Sequence, residues 1–237
     1  MIRQGWRKRA VLLSAAFATV TGPIVGFGAG VAVSPASAGS VCVAAGATGF
    51  TTANLVTASG PFSGNNTAID ATGCDLGIYV APGTNNVTIS GVTVTGANDH
   101  GIMAEHVSGL TIQNSTVNGN GVNPNHNLGT DKAIQLVGVT GSTVSGNTVF
   151  GNLADGGISV TDEGGGLDPA APNGPAGNVA SNTDTLTNNY IHDNFGGCAI
   201  VIESWVAGAG VDHITASNNT ITGHQGQFGP HGPVIGQ

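Results

Sequence analysis

Five isoleucines, Ile78, Ile102, Ile134, Ile158 and Ile200, each stand second in a short apolar run: GIYV, GIMA, AIQL, GISV and AIVI. They are 24, 32, 24 and 42 residues apart. A second signature follows each run: NNVTISGVTVTG (85–96), SGLTIQNSTVNG (108–119), TGSTVSGNTVFG (140–151), NTDTLTNNYIHD (182–193) and VDHITASNNTITG (211–223). Every copy alternates apolar and polar residues, turns at Gly, Asn or Ser, and then offers one more apolar residue: Val94, Val117, Val149, Ile191 or Ile221. Short β-branched runs of period two between Gly/Asn turns are strand signals. A repeat of about 24 residues means stacked units, each burying its apolar face on the next. Three short strands and three turns use about that many residues, so each unit closes as one rung of a coil. With strands about 4.8 Å apart, five rungs make a stack on the order of 20–25 Å long.

The GI-x-(V/A/L) strands and the NNxI and NSTV turns, across residues 75–237, resemble those of right-handed parallel β-helix proteins of the pectate-lyase-like superfamily. The resemblance implies an all-β solenoid of about five rungs. The domain reading is a signal peptide over 1–38, an N-terminal cap over 39–74 and the β-helix over 75–237. The surplus residues of the 32- and 42-residue intervals leave the coil as loops at 120–130 and 162–181. HGPVIGQ (231–237) reads as the first strand of another rung; an open final rung predicts a longer solenoid or end-to-end self-association.

The basic start MIRQGWRKR, the apolar stretch after it and the small-x-small pattern Ala36-Ser37-Ala38 read as a secretory signal peptide cleaved before Gly39. The expected location is extracellular, with no membrane span after removal. Cleavage takes Arg3, Arg7, Lys8 and Arg9, leaving thirteen acidic residues against Lys132, a net charge of 1 − 13 = −12. A chain so acidic and without arginine is excluded from nucleic-acid binding, which depends on neutralising phosphates. Anionic polysaccharides are disfavoured as partners unless a cation bridges the like charges. In an exported chain Cys42 and Cys74 are expected to pair, leaving Cys198 as a free thiol.

Several side chains carry candidate chemistry. Asp75, Asp99, Asp131 and Asp155 stand three residues before successive marker isoleucines. Stacked about 5 Å apart, their carboxylates repel by on the order of 1–3 kcal/mol per pair. Two readings meet that repulsion: carboxylates capping turns through backbone N–H groups, or a calcium site, since calcium takes oxygen ligands. By strand alternation His100, Lys132, Met103, Gln135, Glu105 and Ser159 share one outward face, where enzymes resembling this fold place their substrate groove. There His100 or Lys132 fits a proton-abstracting base, with calcium as neutraliser; the alternative is that Lys132 only neutralises the Asp column. Glu105 and Glu203 lie three rungs apart, about 14 Å, beyond the roughly 5–9.5 Å of glycosidase pairs. Asp162 with Glu203 is the better carboxylate pair, and Trp205 is placed to stack on a sugar.

His192-Asp193 aligns with a glycine column (Gly96, Gly119, Gly151, Gly223) and reads as a positive-φ turn. The column Gly91, Asn114, Gly146, Asn188 and Asn218 reads as a structural asparagine turn. His126, His213, His224 and His231 have no compact ligand spacing. After removal of residues 1–38 the chain also lacks the arginine of lyases with this fold, the Asp-Pro-His-Asp of alginate epimerases and the paired aspartates and Arg-x-Lys of polygalacturonases. The functional expectation is therefore a secreted protein that binds or modifies carbohydrate. The alternatives are a non-catalytic structural β-helix and, more distantly, a metal-delivery β-helix.

Overall fold

A computed structural model describes residues 41–46, 49–122, 132–153, 156–164, 178–204 and 208–223. Among these, all regular structure is β-strand. Three parallel sheets run along the coil. The first contains Thr51–Val56, Leu76–Val80, His100–Glu105, Ile134–Val137, Ile158–Thr161 and Ile200–Glu203, with Val43–Ala44 added antiparallel at one edge. The second contains Gly60–Pro61, Val87–Ser90, Thr111–Gln113, Thr143–Ser145, Thr185–Thr187 and Thr215–Ser217. The third contains Ala68–Asp70, Thr93–Thr95, Thr116–Asn118, Thr148–Phe150, Tyr190–His192 and Thr220–Thr222. The marker isoleucines are direct register partners from Ile78 through Ile102, Ile134 and Ile158 to Ile200.

The described residues thus build six rungs, one more than the repeats alone suggest. The additional rung comes from 51–70, inside the segment expected to be a cap. Its strands pair in parallel with the second rung although they lack the repeat signature. Phe62, Ile69 and Val56 supply its inward apolar side chains. The Cys42–Cys74 disulfide ties the Val43–Ala44 hairpin to this rung, and Cys198 is free.

The inward residues of all three sheets form one apolar core, from Val56 and Ile69 through Val94, Ile112 and Leu136 to Leu186 and Ile191. Closing a rung around so narrow a core needs three sharp corners, and each uses a left-handed residue. Gly91, Asn114, Gly146, Asn188 and Asn218 have φ of +49° to +67° between the second and third sheets. Asp193, at φ +51°, follows Gly96, Gly119 and Gly151 at the next corner, as the glycine alignment predicts. Asn86, Gly109, Gly141, Thr183 and His213 form another such column, which the sequence reading does not identify; Thr183 at +62° is a strained choice for a β-branched residue. Where the chain enters the first sheet the backbones crowd. A Cβ on Gly157 would lie 2.2 Å from the Ala199 carbonyl oxygen, and one on Gly77 2.4 Å from that of Gly101. That crowding is the reason for the recurring Gly before the marker isoleucine.

Two columns of inward polar residues satisfy the backbone at the other corners. At the second-to-third corner, the Ser115 N–H donates to Asn147 Oδ1 (3.0 Å), the Asn147 N–H to Asn189 Oδ1 (3.1 Å) and the Asn189 N–H to Asn219 Oδ1 (3.0 Å). Each amide group also donates backwards: Asn147 Nδ2 to the Ile112 carbonyl and Asn189 Nδ2 to that of Val144, both at 3.0 Å. Asn120, Asn152 and Asn194 repeat the pattern after the third sheet. These ladders sit one residue beyond the column expected to carry them: Asn114, Asn188 and Asn218 supply the turn, Asn147, Asn189 and Asn219 the hydrogen bonds. Asn189→Ala strands the buried Asn147 N–H and the Val144 carbonyl. The expected loss is about 2–5 kcal/mol, read as a melting-temperature drop on the order of 5–15 °C. Thr143→Ala, on the outer face of the second sheet, is expected to shift melting by less than about 2 °C.

Candidate functional site

The outer face of the first sheet gathers Glu105 with Met103, Gln135 and Ser159, as strand alternation assigns, and His100 meets the same cover although its parity is that of inward Ile102. His100 opens its strand beside Leu76, Met103 stands between Tyr79 and Gln135, and Glu105 pairs with Val137. Ser159 and Thr161 continue the two columns toward Val201 and Glu203. The expectation of an open groove is corrected in one respect: His100, Met103, Glu105, Lys132, Gln135 and Ser159 are all buried. Part of the cover is visible. Ala45 and Phe50 of the N-terminal hairpin pack with Leu76, Tyr79, Met103 and Val137 as a second apolar cluster, and the Phe50 ring meets His100 edge-on at 6.5 Å. At the opposite margin the antiparallel ribbon Glu163–Gly164 with Asn178–Val179 leaves the coil, and its Val179 packs at Gly138.

Within this face the hydrogen bonds assign roles. His100 Nδ1 accepts the Lys132 backbone N–H at 2.9 Å. The same Nδ1 lies 3.3 Å from the Lys132 carbonyl oxygen, so one peptide unit holds the ring in place. The Tyr79 hydroxyl donates to Glu105 Oε2 in a short buried contact. Tyr79 escapes the sequence reading because it stands in a GIYV strand that looks wholly apolar. The available signal was its position, one residue after the marker isoleucine in the outward column of Met103 and Gln135. Gln135 Nε2 donates to Thr161 Oγ1 at 3.2 Å, linking neighbouring rungs.

The remaining candidates divide differently. Asp162 is buried, and its Oδ2 accepts from the Ser204 hydroxyl and the Gly210 N–H, the latter at 2.8 Å. Its carboxylate clamps the turn after the last strand of the first sheet. Glu203, half-buried opposite Thr161, lies at the end of that strand. Asp75 accepts from Thr51 through both N–H (2.7 Å) and hydroxyl (2.8 Å), the turn-capping reading of its column. Asp99 is buried at the same corner one rung on. Asp131 and Asp155 lie outside the described residues, as do Trp205, His126, His224 and His231. Among the described residues no group of three or more His, Cys, Asp or Glu could hold a metal ion.

His192 and Asp193 are on the outer face of the third sheet. His192 Nδ1 meets Asp193 Oδ2 at 2.8 Å, and its ring is stacked between Phe150 (4.9 Å) and Tyr190 (4.2 Å). His213 pairs with exposed Asp212 at 2.9 Å. Both histidines serve turns and surface stacking.

A family model described as a right handed beta helix region matches residues 56–230. Among solved structures the chain is similar to the A-module of the mannuronan C-5 epimerase AlgE6 of Azotobacter vinelandii, with 13% identity and a TM-score of 0.34. That likeness covers 74% of this chain and 57% of that one, so the chain spans little more than half the module's length. No curated protein matches.

The Asp162 clamp gives a direct check. Asp162→Ala removes two hydrogen bonds to a buried carboxylate, worth about 1.5–3 kcal/mol each. Faster proteolysis within 204–210 and a lowered melting temperature are expected.

Proposed function

The chain belongs to the right-handed β-helix family, and from that footing we propose that it binds and modifies an uncharged polysaccharide on the outer face of its first sheet. One observation carries the reading. From the second rung to the sixth, the outer face of the second sheet bears only hydroxyl and amide side chains: Thr88, Ser90, Thr111, Gln113, Thr143, Ser145, Thr185, Thr187, Thr215 and Ser217. The first sheet holds His100, Glu105 and Tyr79, with Lys132 and Asp162 at its margins, all buried. Burying such groups opposes folding unless they are paired, and their concentration on one face is the mark of a site that moves protons.

In this reading the Glu105 carboxylate is the proton acceptor, held in place by the Tyr79 hydroxyl, and His100 is the proton donor. Lys132 supplies positive charge at the same margin. The acidic balance of the chain argues for a neutral glycan, because a polyuronate meets like charge. Export by the leader over 1–38 places the protein where such polymers occur. Because the groups are buried, the glycan reaches them when the covering segments move aside, as lids do in many enzymes.

The same burial favours a second reading, a structural coil whose outer polar columns only hold its cover in place. Incubation with a panel of neutral and acidic polysaccharides, with and without calcium, separates the two. New reducing ends or altered sugar stereochemistry on a neutral glycan are expected. Glu105→Gln is expected to lower turnover by about 100-fold or more while melting stays within a few degrees. No binding and no product on any glycan from folded protein moves the assignment to the structural reading.

A further inference from the structure

The two asparagine ladders show what the coil demands of a polar side chain at its corners: one atom accepts an N–H from the rung before, and the other donates to a carbonyl of that same rung. At the remaining corner, between the first and second sheets, the corresponding inward column reads Val87, Leu110, Ser142, Asp184 and Ile214. Asp184 is 1% exposed. Its Oδ1 accepts the Ser142 N–H at 2.7 Å, as Asn189 Oδ1 accepts from Asn147. Its Oδ2 holds the place of the amide nitrogen, is fully buried and makes no hydrogen bond.

An ionised carboxylate has no donor to offer there; a carboxylic acid has one. The groups facing Asp184 supply no cation. The rung before presents Thr140, Gly141 and Ser142, and the rung after presents Asp212, His213 and Ile214, where Asp212 and His213 are exposed and paired with each other. On its own rung, Asp162 bonds to Ser204 and Gly210. The core cluster around the column is apolar.

We propose that Asp184 is a proton-operated clamp: as a neutral acid it locks the fifth rung onto the fourth, and its ionisation loosens that junction. Burial pushes its pKa up to about 6 from the ordinary 3.8, against the lowering effect of the neighbouring Ser142, first of all its N–H. A raised folded-state pKa means that the clamp's contribution is complete below the unfolded value near 3.8 and is lost as pH rises through about 6. The junction between the fourth and fifth rungs is thus firmest in mildly acid surroundings and loosens toward neutrality.

The test is thermal melting of the full chain across about pH 4 to 8 for wild type, Asp184→Asn and Asp184→Ser. Asn supplies the missing donor at every pH, and Ser copies the residue one rung back, so one variant remains if the other fails to fold. Wild type and variant share all other titrations, so the difference between their curves isolates Asp184. The variant's melting temperature relative to wild type is expected to rise by on the order of 5–10 °C between the acid and neutral ends. Hydrogen exchange within 185–187 of wild type, relative to Asp184→Asn, is expected to match at the acid end and to be at least several-fold faster at the neutral end. A difference that stays flat with pH, or a carboxyl resonance of Asp184 titrating near 4, overturns the proposal.

Discussion

Everything in this molecule depends on each rung lying in register on the one before it. Parallel pairing fixes Ile78, Ile102, Ile134, Ile158 and Ile200 in one line, so a side chain chosen for one rung must suit its copies above and below. Apolar residues meet this condition without specificity, since β-branched side chains pack well on their like. Polar residues meet it only where a donor finds an acceptor one rung away. Asparagine does so because it carries both, and this is why Asn147, Asn189 and Asn219 can stand inside an otherwise apolar coil. Aspartate in the same role satisfies the pattern only with a proton attached, so Asp184 makes the coil answer to pH.

Register also decides what the corners accept. Two residues, one left-handed and one inward, suffice between the second and third sheets in every rung from the second to the sixth. Glycine at 77, 101 and 157 answers a different requirement, the close approach of one rung's backbone to the next. Asp193 shows how the two demands disguise themselves as chemistry. Beside His192 it looks like half of an acid–base pair, yet its φ of +51° and its glycine counterparts give it a turn's duties.

The sequence displayed the features that repeat and hid those that occur once. Marker isoleucines, outward columns and the glycine-like position of Asp193 were legible because several copies could be compared. The first rung was not, since Phe62 and Ile69 do its work without the repeat's spelling; only its pairing with the second rung reveals it. The ladders were displaced by one residue because Asn188-Asn189 and Asn218-Asn219 give two adjacent asparagines, and only geometry tells the turn from the bond. On the first sheet, alternation gave the direction of Glu105 but not of His100, which shares its parity with inward Ile102, and it said nothing of the cover. That cover includes Phe50, which stands 50 residues before His100 in the sequence. Tyr79 and the Nδ1 bond of His100 lay beyond pattern reading for the same reason: both are contacts between rungs.

Where the chain departs from its own period is also informative. Of the three corners, the one between the second and third sheets keeps two residues from the second rung onward, while both corners that border the first sheet vary. The segment entering that sheet runs from Thr95 to His100 in one rung and from Asn118 to Ile134 in the next. The segment leaving it runs from Val137 to Thr143 and then from Thr161 to Thr185. A coil needing only to stack has no reason to confine its insertions to the margins of one sheet, because a loop leaving any corner disturbs the register equally little. Confinement follows if the outer face of that sheet is where something is held and the insertions form its rim, since function collects in loops carried on a rigid frame. The titratable groups occupy that same face. Two independent distributions, of charge and of chain length, single out the first sheet, and neither is a requirement of the fold.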